Sequence, residues 1–343
     1  MEQREQSEQA VDGARKTLEQ MIDGFGDTQF VALAAQLGIA DLLATGPRSA
    51  GELATATTSH PDALYRALRA MAARGIFVES EGRRFALTPL SQYLRSDHPD
   101  SQRGMAIWKG GSWYRAYGAL SYSVATGENA FRHVHGKSLF EYLAEHPDES
   151  VTFNHAMTAS SKTAAPKVME AYDFSWPQTV VDVAGGQGLM LAAILQAYPT
   201  VRGVLFDLPH VVASAELLLR EAGVADRCEA VGGDFFASLP AGGDLYVLRW
   251  IIHDWEDEPA AKILGNCRRA MHPQGKVALI EMVLGEPNSA ELAPLMDLDL
   301  LLIPGGRERT AEEFARLFTT AGLRMTRVVP TQGYACVLEA EPA

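Results

Sequence analysis

The sequence has few cysteines, a shortage of positive charge and no long apolar run. Its three cysteines, Cys228, Cys267 and Cys336, are odd in number and far apart, which argues against a disulfide framework or a zinc cluster and predicts buried thiols. Thirty Lys and Arg against 43 Asp and Glu leave a net charge of −13, the wrong sign for a nucleic acid or an anionic membrane as partner. No stretch approaches the ~18 apolar residues that span a bilayer. The acidic, polar start from Met1 to Gln9 lacks the basic and apolar regions of a secretory signal, so a cytoplasmic location is expected. There are no internal repeats or low-complexity tracts. What is present, 47% apolar and 21% charged residues over 343 positions, suits a globular chain of two domains.

Periodicity divides the chain into a helical region (1–105), a linking helical segment (106–175) and a region of alternating strands and helices (176–343). In the first, Phe30 to Leu43 has helical spacing broken near Gly38, and Ser49 with Glu52 forms a capping box. Pro61 announces a helix with Leu64, Leu68 and Met71 on its apolar face, ending around Gly75. Ile76–Glu79 and Arg84–Leu87 then read as a hairpin. Helices followed by a two-stranded wing make a winged helix, a shape used to read DNA. Residues 1–100 nevertheless carry 10 basic against 14 acidic side chains, which favours a scaffold or dimerisation role. The apolar helices before residue 45 and around 105–125, with Trp108, Trp113, Tyr114 and Tyr117, either meet a second copy of the chain or pack within one.

The third region predicts strands at Thr179–Val183, Gly203–Phe206, Arg227–Val231, Leu245–Leu248 and Val277–Met282, with a terminal pair at Leu323–Val329 and Tyr334–Glu339. Such alternation implies an α/β fold, a Rossmann-like, mostly parallel doubly wound sheet whose ligands sit beyond the carboxyl ends of its strands. The first strand runs into Ala184-Gly185-Gly186-Gln187-Gly188, and Asp207 follows Gly186 by 21 positions, the spacing at which an acid meets ribose hydroxyls. Leu191 stands where the dinucleotide pattern needs its third glycine. Asp234, placed to meet an adenine amino group, and Phe235, placed to stack, favour S-adenosylmethionine over a dinucleotide. A plain βα turn without ligand is the bland alternative.

His253 lies just past the fourth strand, on the cofactor side, and imidazole titrates near neutrality, as a general base requires. A carboxylate that fixes its tautomer would assist. Glu281 in the next strand and Glu308 are the candidates, although Glu308 could instead cap the helix beginning near Thr310, and Arg307 and Arg309 could pair with the acids. His133-x-His135 and the dispersed acids make no convincing metal site, so no metal is expected.

The winged-helix region, Phe153-Asn154-x-x-Met157, the glycine turn, Phe206-Asp207-Leu208-Pro209, Gly233-Asp234-Phe235-Phe236, His253-Asp254-Trp255 and Gly305-Gly306-Arg307-Glu308-Arg309-Thr310 together resemble one family. It is the small-molecule O-methyltransferases, which include plant caffeate and flavonoid enzymes and bacterial relatives that tailor polyketides and phenazines. The resemblance implies a homodimer held by the N-terminal region and direct transfer of a methyl group to an aromatic hydroxyl. It also implies that Asp207 and Leu208 border the ribose, Asp234 and Phe235 the adenine, Gly185 and Gly186 the methionine part, and Arg249 and Ser161 its polar ends. His253 would be the base beside Glu281 and Glu308, with Phe153, Met157, Trp250, Asp254, Met296 and Ile303 around the acceptor. Ile303 stands where plant members carry a substrate-binding Asn, which points to a different aromatic acceptor. Relatives that bind the cofactor yet hydroxylate, decarboxylate or cyclise are the alternative; they tend to lose the base that this sequence keeps.

Overall fold

Local signals shape the first part of the chain. A computed structural model describes residues 2–288 and 292–343, with side chains from Gly13 onward, as two compact units, Met1–Tyr114 and Arg115–Ala343. In the first, the helix Glu2–Gln36 stops where Gly38 takes φ 63°, a left-handed conformation that favours glycine. This helix begins far ahead of the expected Phe30. Its early turns are rich in Glu, Gln, Arg and Ala, good helix formers that show no apolar periodicity.

Ser49 and Glu52 cap each other across the start of helix Ala50–Ala56, and Pro61 opens helix Pro61–Ala73. The wing has three strands rather than two: β1 (Arg48–Ser49) pairs with β3 (Arg84–Leu87), which pairs with β2 (Phe77–Ser80). Leu53, Leu68, Met71, Phe77 and Phe85 form the core beneath it. Trp108 and Trp113 pack edge to face at 4.4 Å and are buried, so they do not offer a surface. Exposed large apolar residues of this unit include Leu18, Met21, Ile22 and Phe25 on the first helix, besides Val78, Leu90 and Tyr93.

The second unit is built on a seven-stranded sheet. Strands β4 (Thr179–Val183), β5 (Arg202–Asp207), β6 (Cys228–Gly232), β7 (Leu245–Arg249) and β8 (Lys276–Glu281) are parallel, and β9 (Leu323–Pro330) with β10 (Cys336–Pro342) adds an antiparallel hairpin. The order is β6-β5-β4-β7-β8-β10-β9, so the path reverses direction between β4 and β7. Ligands of doubly wound sheets bind at such a reversal. Alternate side chains of β7 feed two separate cores, Leu245 and Val247 one and Tyr246 and Leu248 the other, because both faces are covered by helices. Burying each such side chain stabilises by ~1.5–3 kcal/mol. Of the cysteines only Cys267 is fully buried; Cys228 and Cys336 are half-buried, contrary to expectation, because they sit at the entry of strands near the sheet's rim.

Among the described residues no helix is long and apolar enough to cross a membrane. Beyond the ladder that pairs β10 with β8, a buried carboxylate on β10 links the hairpin to Tyr172 and Lys276. Glu339 accepts from Tyr172 Oη (2.7 Å), Thr326 Oγ1 (2.7 Å), Lys276 Nζ (3.0 Å) and Arg327 Nη2 (3.0 Å). Burial alone would raise its pKa, but these four donors outweigh it and hold it down at about 2. Its contribution is therefore present above about pH 4.5 and is lost as pH falls through about 2. We expect Glu339→Gln to cost ~1–3 kcal/mol at pH 7, with a shrinking penalty in acid, measurable by denaturant titration across pH. An unchanged midpoint at pH 7 would show that the four bonds contribute nothing net.

Candidate active site

Parallel strands point their carboxyl ends the same way, and four of them, β4, β5, β7 and β8, deliver charged side chains to that edge. Asp182, the charged residue in an otherwise largely apolar β4, is fully buried, and its Oδ2 has no hydrogen-bond partner among the described residues. Burial raises its pKa to about 7 against the opposing pull of Arg249. Arg249, at the end of β7, donates through Nη2 to Ser161 Oγ and leaves Nη1 buried without a partner. Burial lowers its pKa to about 10, with Asp182 and Glu281 working the other way. One unpaired acceptor and one unpaired donor, each costly to bury alone, suit a ligand end that carries both an ammonium and a carboxylate.

Between them the chain turns through glycines. A Cβ on Gly185 would stand 2.5 Å from the Asp182 carboxyl and 2.6 Å from Leu205 Cδ1, whereas Gly186, at φ 61°, faces open space. The Gly186 amide donates to Asp207 Oδ2 (2.8 Å), and the amide of Leu208, itself exposed, donates to Oδ1 (2.6 Å). Burial raises the Asp207 pKa despite these two bonds. At the end of β6, Asp234 is exposed and its Oδ1 accepts from the Phe236 amide (2.8 Å), while the Phe235 ring leans edge-on towards Phe236 and Trp255.

The short 3₁₀ turn Ile252–Asp254 follows β7 and holds His253 with 5% exposure. Nδ1 donates to Glu308 Oε1 at 2.9 Å, and Glu281 Oε2 lies 3.6 Å from the same nitrogen. Asp254 Oδ1 is 3.6 Å from Nε2. Desolvation depresses the imidazole pKa, but Glu281, Glu308 and Asp254 together outweigh it and raise it to about 10. Burial in turn lifts Glu281 to about 7 and Asp254 to about 6, so the protons belong to the cluster as a whole. Glu281 Oε1 accepts from the amides of Ile251 and Ile252, which sets the start of the turn. Glu308 does not cap a helix: Thr310 and Glu313 form the capping box there, and the Glu308 amide donates to Asp297.

Sequence therefore pointed to residues that the fold brings together in three groups: Gly186 with Asp207 and Leu208, Ser161 with Arg249, and His253 with Glu281, Glu308 and Asp254. Trp250 connects the last two, its ring 4.8 Å from the Arg249 guanidinium and 6.3 Å from the His253 ring. Phe153 and Met157 are half-buried on the helix Pro147–Ala171, about two turns and one turn ahead of Ser161 respectively. Met296 is half-buried on the helix Ala293–Leu302, and Ile303 just beyond it is fully buried, its carbonyl accepting from Asn129 (2.7 Å). Sequence reasoning puts Asp182, with Asp207, Asp234 and His253, at the ligand side of the sheet but gives it no binding role, although a lone acid inside an apolar strand was a signal. It also missed Asp297, and Asp299 with its bond from Tyr117, which no local pattern announces.

His133 stacks on Tyr122 and His135 packs against Phe131 and Tyr142. The only donors gathered closely among the described residues are those of His253, Glu281 and Glu308, within 4.8 Å of one another. Their shortest approach is the 2.9 Å hydrogen bond itself.

Residues 117–324 match the O-methyltransferase domain model, and residues 19–97 match the O-methyltransferase dimerisation domain model. The chain belongs to the O-methyltransferase family. Its relatives include the phenazine O-methyltransferase PhzM of Lysobacter antibioticus, 46% identical over 94% of this chain and 95% of that one. The 3-amino-4-hydroxybenzoate 4-O-methyltransferase of Streptomyces cremeus is 39% identical over 95% of this chain and 89% of its own. The crystal structure of LaPhzM superposes with a TM-score of 0.94 at 45% identity, covering 96% of this chain and 99% of the other. The O-methyltransferase thus uses the S-adenosylmethionine chemistry of its family, and the unpaired Asp182 and Arg249 fit the amino-acid end of that cofactor.

The two adjacent glycines should respond differently to a methyl group. Gly185→Ala forces Asp182 and Leu205 apart and should lower stability by ~1–3 kcal/mol and weaken S-adenosylhomocysteine binding. Gly186→Ala meets open space and only a left-handed backbone, at a cost of about 1 kcal/mol. Thermal melts with and without the ligand check this; equal effects would mean that the close approach at Gly185 is not tight.

Proposed function

We propose that the protein transfers a methyl group from S-adenosylmethionine to a hydroxyl of an aromatic secondary metabolite, with His253 as general base. The observation that carries this reading is the buried His253–Glu308 bond, which leaves Nε2 as the nitrogen free to accept a proton. Bound S-adenosylmethionine supplies an electrophilic methyl carbon. Asp207 would take the ribose, Asp234 and Phe235 the adenine, and Gly185, Gly186, Ser161, Arg249 and Asp182 the methionine end. Leu208 would flank the ribose. Phe153, Met157, Trp250, Asp254, Met296 and Ile303 would bound the acceptor. His253 takes the hydroxyl proton on Nε2 as the oxygen attacks, and the Glu308 and Glu281 carboxylates stabilise the imidazolium that forms. No metal is needed for this chemistry. The phenazine and aminohydroxybenzoate names of the two relatives support an aromatic acceptor.

His253→Ala should retain S-adenosylhomocysteine affinity in calorimetry and lose ~10²–10⁴-fold in turnover, whereas Asp207→Ala should weaken the affinity. The rate should climb with pH towards about 10, because only the neutral imidazole accepts a proton. Glu308→Gln removes a charge that raises that pKa, so its limb should move to lower pH while its maximum falls. A His253→Ala enzyme of full activity rules out the base.

The dimerisation-domain match and the first unit's exposed Leu18, Met21, Ile22 and Phe25, spaced along one helical face, support a homodimer through residues 1–105. Residues 106–175 would then link it to the catalytic region at 176–343. Sedimentation should find twice the chain mass, and Phe25→Glu should shift the equilibrium to monomer. A wild-type monomer at micromolar concentration would remove this assignment.

A further inference from the structure

The four residues Gly306, Arg307, Glu308 and Arg309 all address the same short turn, each with a different group. Gly306 approaches the backbone of His253 and Asp254 so closely that no Cβ could be accommodated. The Arg307 amide donates to the His253 carbonyl at 2.9 Å. Glu308 holds the ring at Nδ1. Arg309 spans the turn from beneath: Nη1 donates to the Ile252 carbonyl (3.3 Å) and Nη2 to the Trp255 carbonyl (2.8 Å), the residues on either side of His253 and Asp254. Its guanidinium is itself fixed by Asp257 through Nε (3.0 Å) and Nη2 (2.8 Å).

Arg309 is 1% exposed, the largest fully buried side chain among the described residues. Taking a cation out of water costs several kcal/mol, and filling space alone would be done as well by an apolar side chain. What an apolar side chain lacks is a rigid fork of donors that meets two carbonyls at once. The backbone of Arg309 is anchored as well. It bridges to Val283, and its carbonyl accepts from Leu284 (3.0 Å), two and three residues past Glu281, the other carboxylate facing His253. Both carboxylates and the turn they address are thereby held in one frame.

We infer that Arg309 is a positioning residue for methyl transfer, which fixes the His253 turn so that Nδ1 stays on Glu308 and Nε2 faces the acceptor. The inference rests on His253 as base. It assigns Arg309 no contact with cofactor or acceptor, only with the backbone that carries the base.

Arg309→Lys keeps the charge opposite Asp257 but cannot reach both carbonyls. Its kcat should fall ~10–100-fold, the loss that a displacement of about 1 Å can produce, with KM for both substrates within about threefold. The ascending limb of its pH–rate profile should move to lower pH as the Glu308 contact loosens. Arg309→Ala should recover part of its turnover in millimolar guanidinium but not in equal concentrations of ammonium. If Arg309→Lys matches wild type in kcat and pH limb, or if turnover falls only in proportion to the folded fraction seen by circular dichroism, the inference is overturned. His253→Ala, measured alongside, separates the two failures. Its retained activity would remove the base and with it the frame, whereas a dead His253→Ala beside an unaffected Arg309→Lys overturns the positioning role alone.

Discussion

One hydrogen bond, from His253 Nδ1 to Glu308, organises the end of the sheet beyond β7 and β8. It is buried, and it joins two segments 55 positions apart in sequence, the turn after β7 and the loop ahead of the helix Ala311–Thr320. Neither partner is expected to be charged in so dry a place without the other. The surroundings enforce the pairing: Glu281 spends one oxygen on the amides that start the turn, and the loop carrying Glu308 is pressed onto the His253 backbone at Gly306. The other oxygens of Glu281 and Glu308 are left buried without a hydrogen bond, so negative potential remains to stabilise a proton on the imidazole. A site arranged for the best folded-state stability would not leave them so. The arrangement suits the accumulation of positive charge on His253.

The cofactor side shows the same kind of imbalance with the opposite geometry. Asp182 and Arg249 stand in strands that neighbour each other in the sheet, each with an atom buried and unpaired. Had the two paired fully, the sheet edge would be more stable and less able to grip an amino-acid group. Their shifted pKa values, Asp182 raised to about 7 and Arg249 lowered to about 10, reflect burial above all, which a ligand carrying both charges would offset. The Trp250 ring lies 4.8 Å from the Arg249 guanidinium and 6.3 Å from the His253 ring, so the end of β7 borders both the Asp182–Arg249 pair and the His253 cluster.

Features read from a few neighbouring residues were legible in the sequence: the capping box at Ser49, the break at Gly38, the core strands and the glycine turn. Each is decided by local chemistry or by alternation over five or six positions. The first helix was read short because its leading turns are polar and lack periodicity, although they have high intrinsic propensity. The aromatic pair Trp108 and Trp113 could not be assigned to interior or surface, since composition carries no direction. The role of Glu308 stayed open between capping and catalysis, because only the return of the chain across the sheet brings it to His253. Arg309 was legible only as a cation that could pair with an acid, as it does with Asp257; its bonds to the turn were hidden for the same reason, since Ile252 and Trp255 lie more than 50 positions away.

Backbone strain marks the same two strand ends. Ala184 after β4 and Trp250 after β7 both adopt φ 55°, a left-handed conformation that side chains other than glycine rarely take and that costs of order 1–3 kcal/mol. Each is held there by its own amide, which donates to the neighbouring strand: Ala184 to Phe206 (2.7 Å) and Trp250 to Ile280 (3.1 Å). The sheet thus continues its ladder one residue past the point where the chain must leave it. At β4 the departure brings Gly185 over Asp182, and at β7 it turns His253 towards Glu281 and Glu308. A relaxed, extended residue at either position would carry the chain straight on and separate the groups now held side by side. The strain therefore accompanies the departure of the chain at two adjacent strand ends, and the ladder bonds are what allow a stable sheet to bear it.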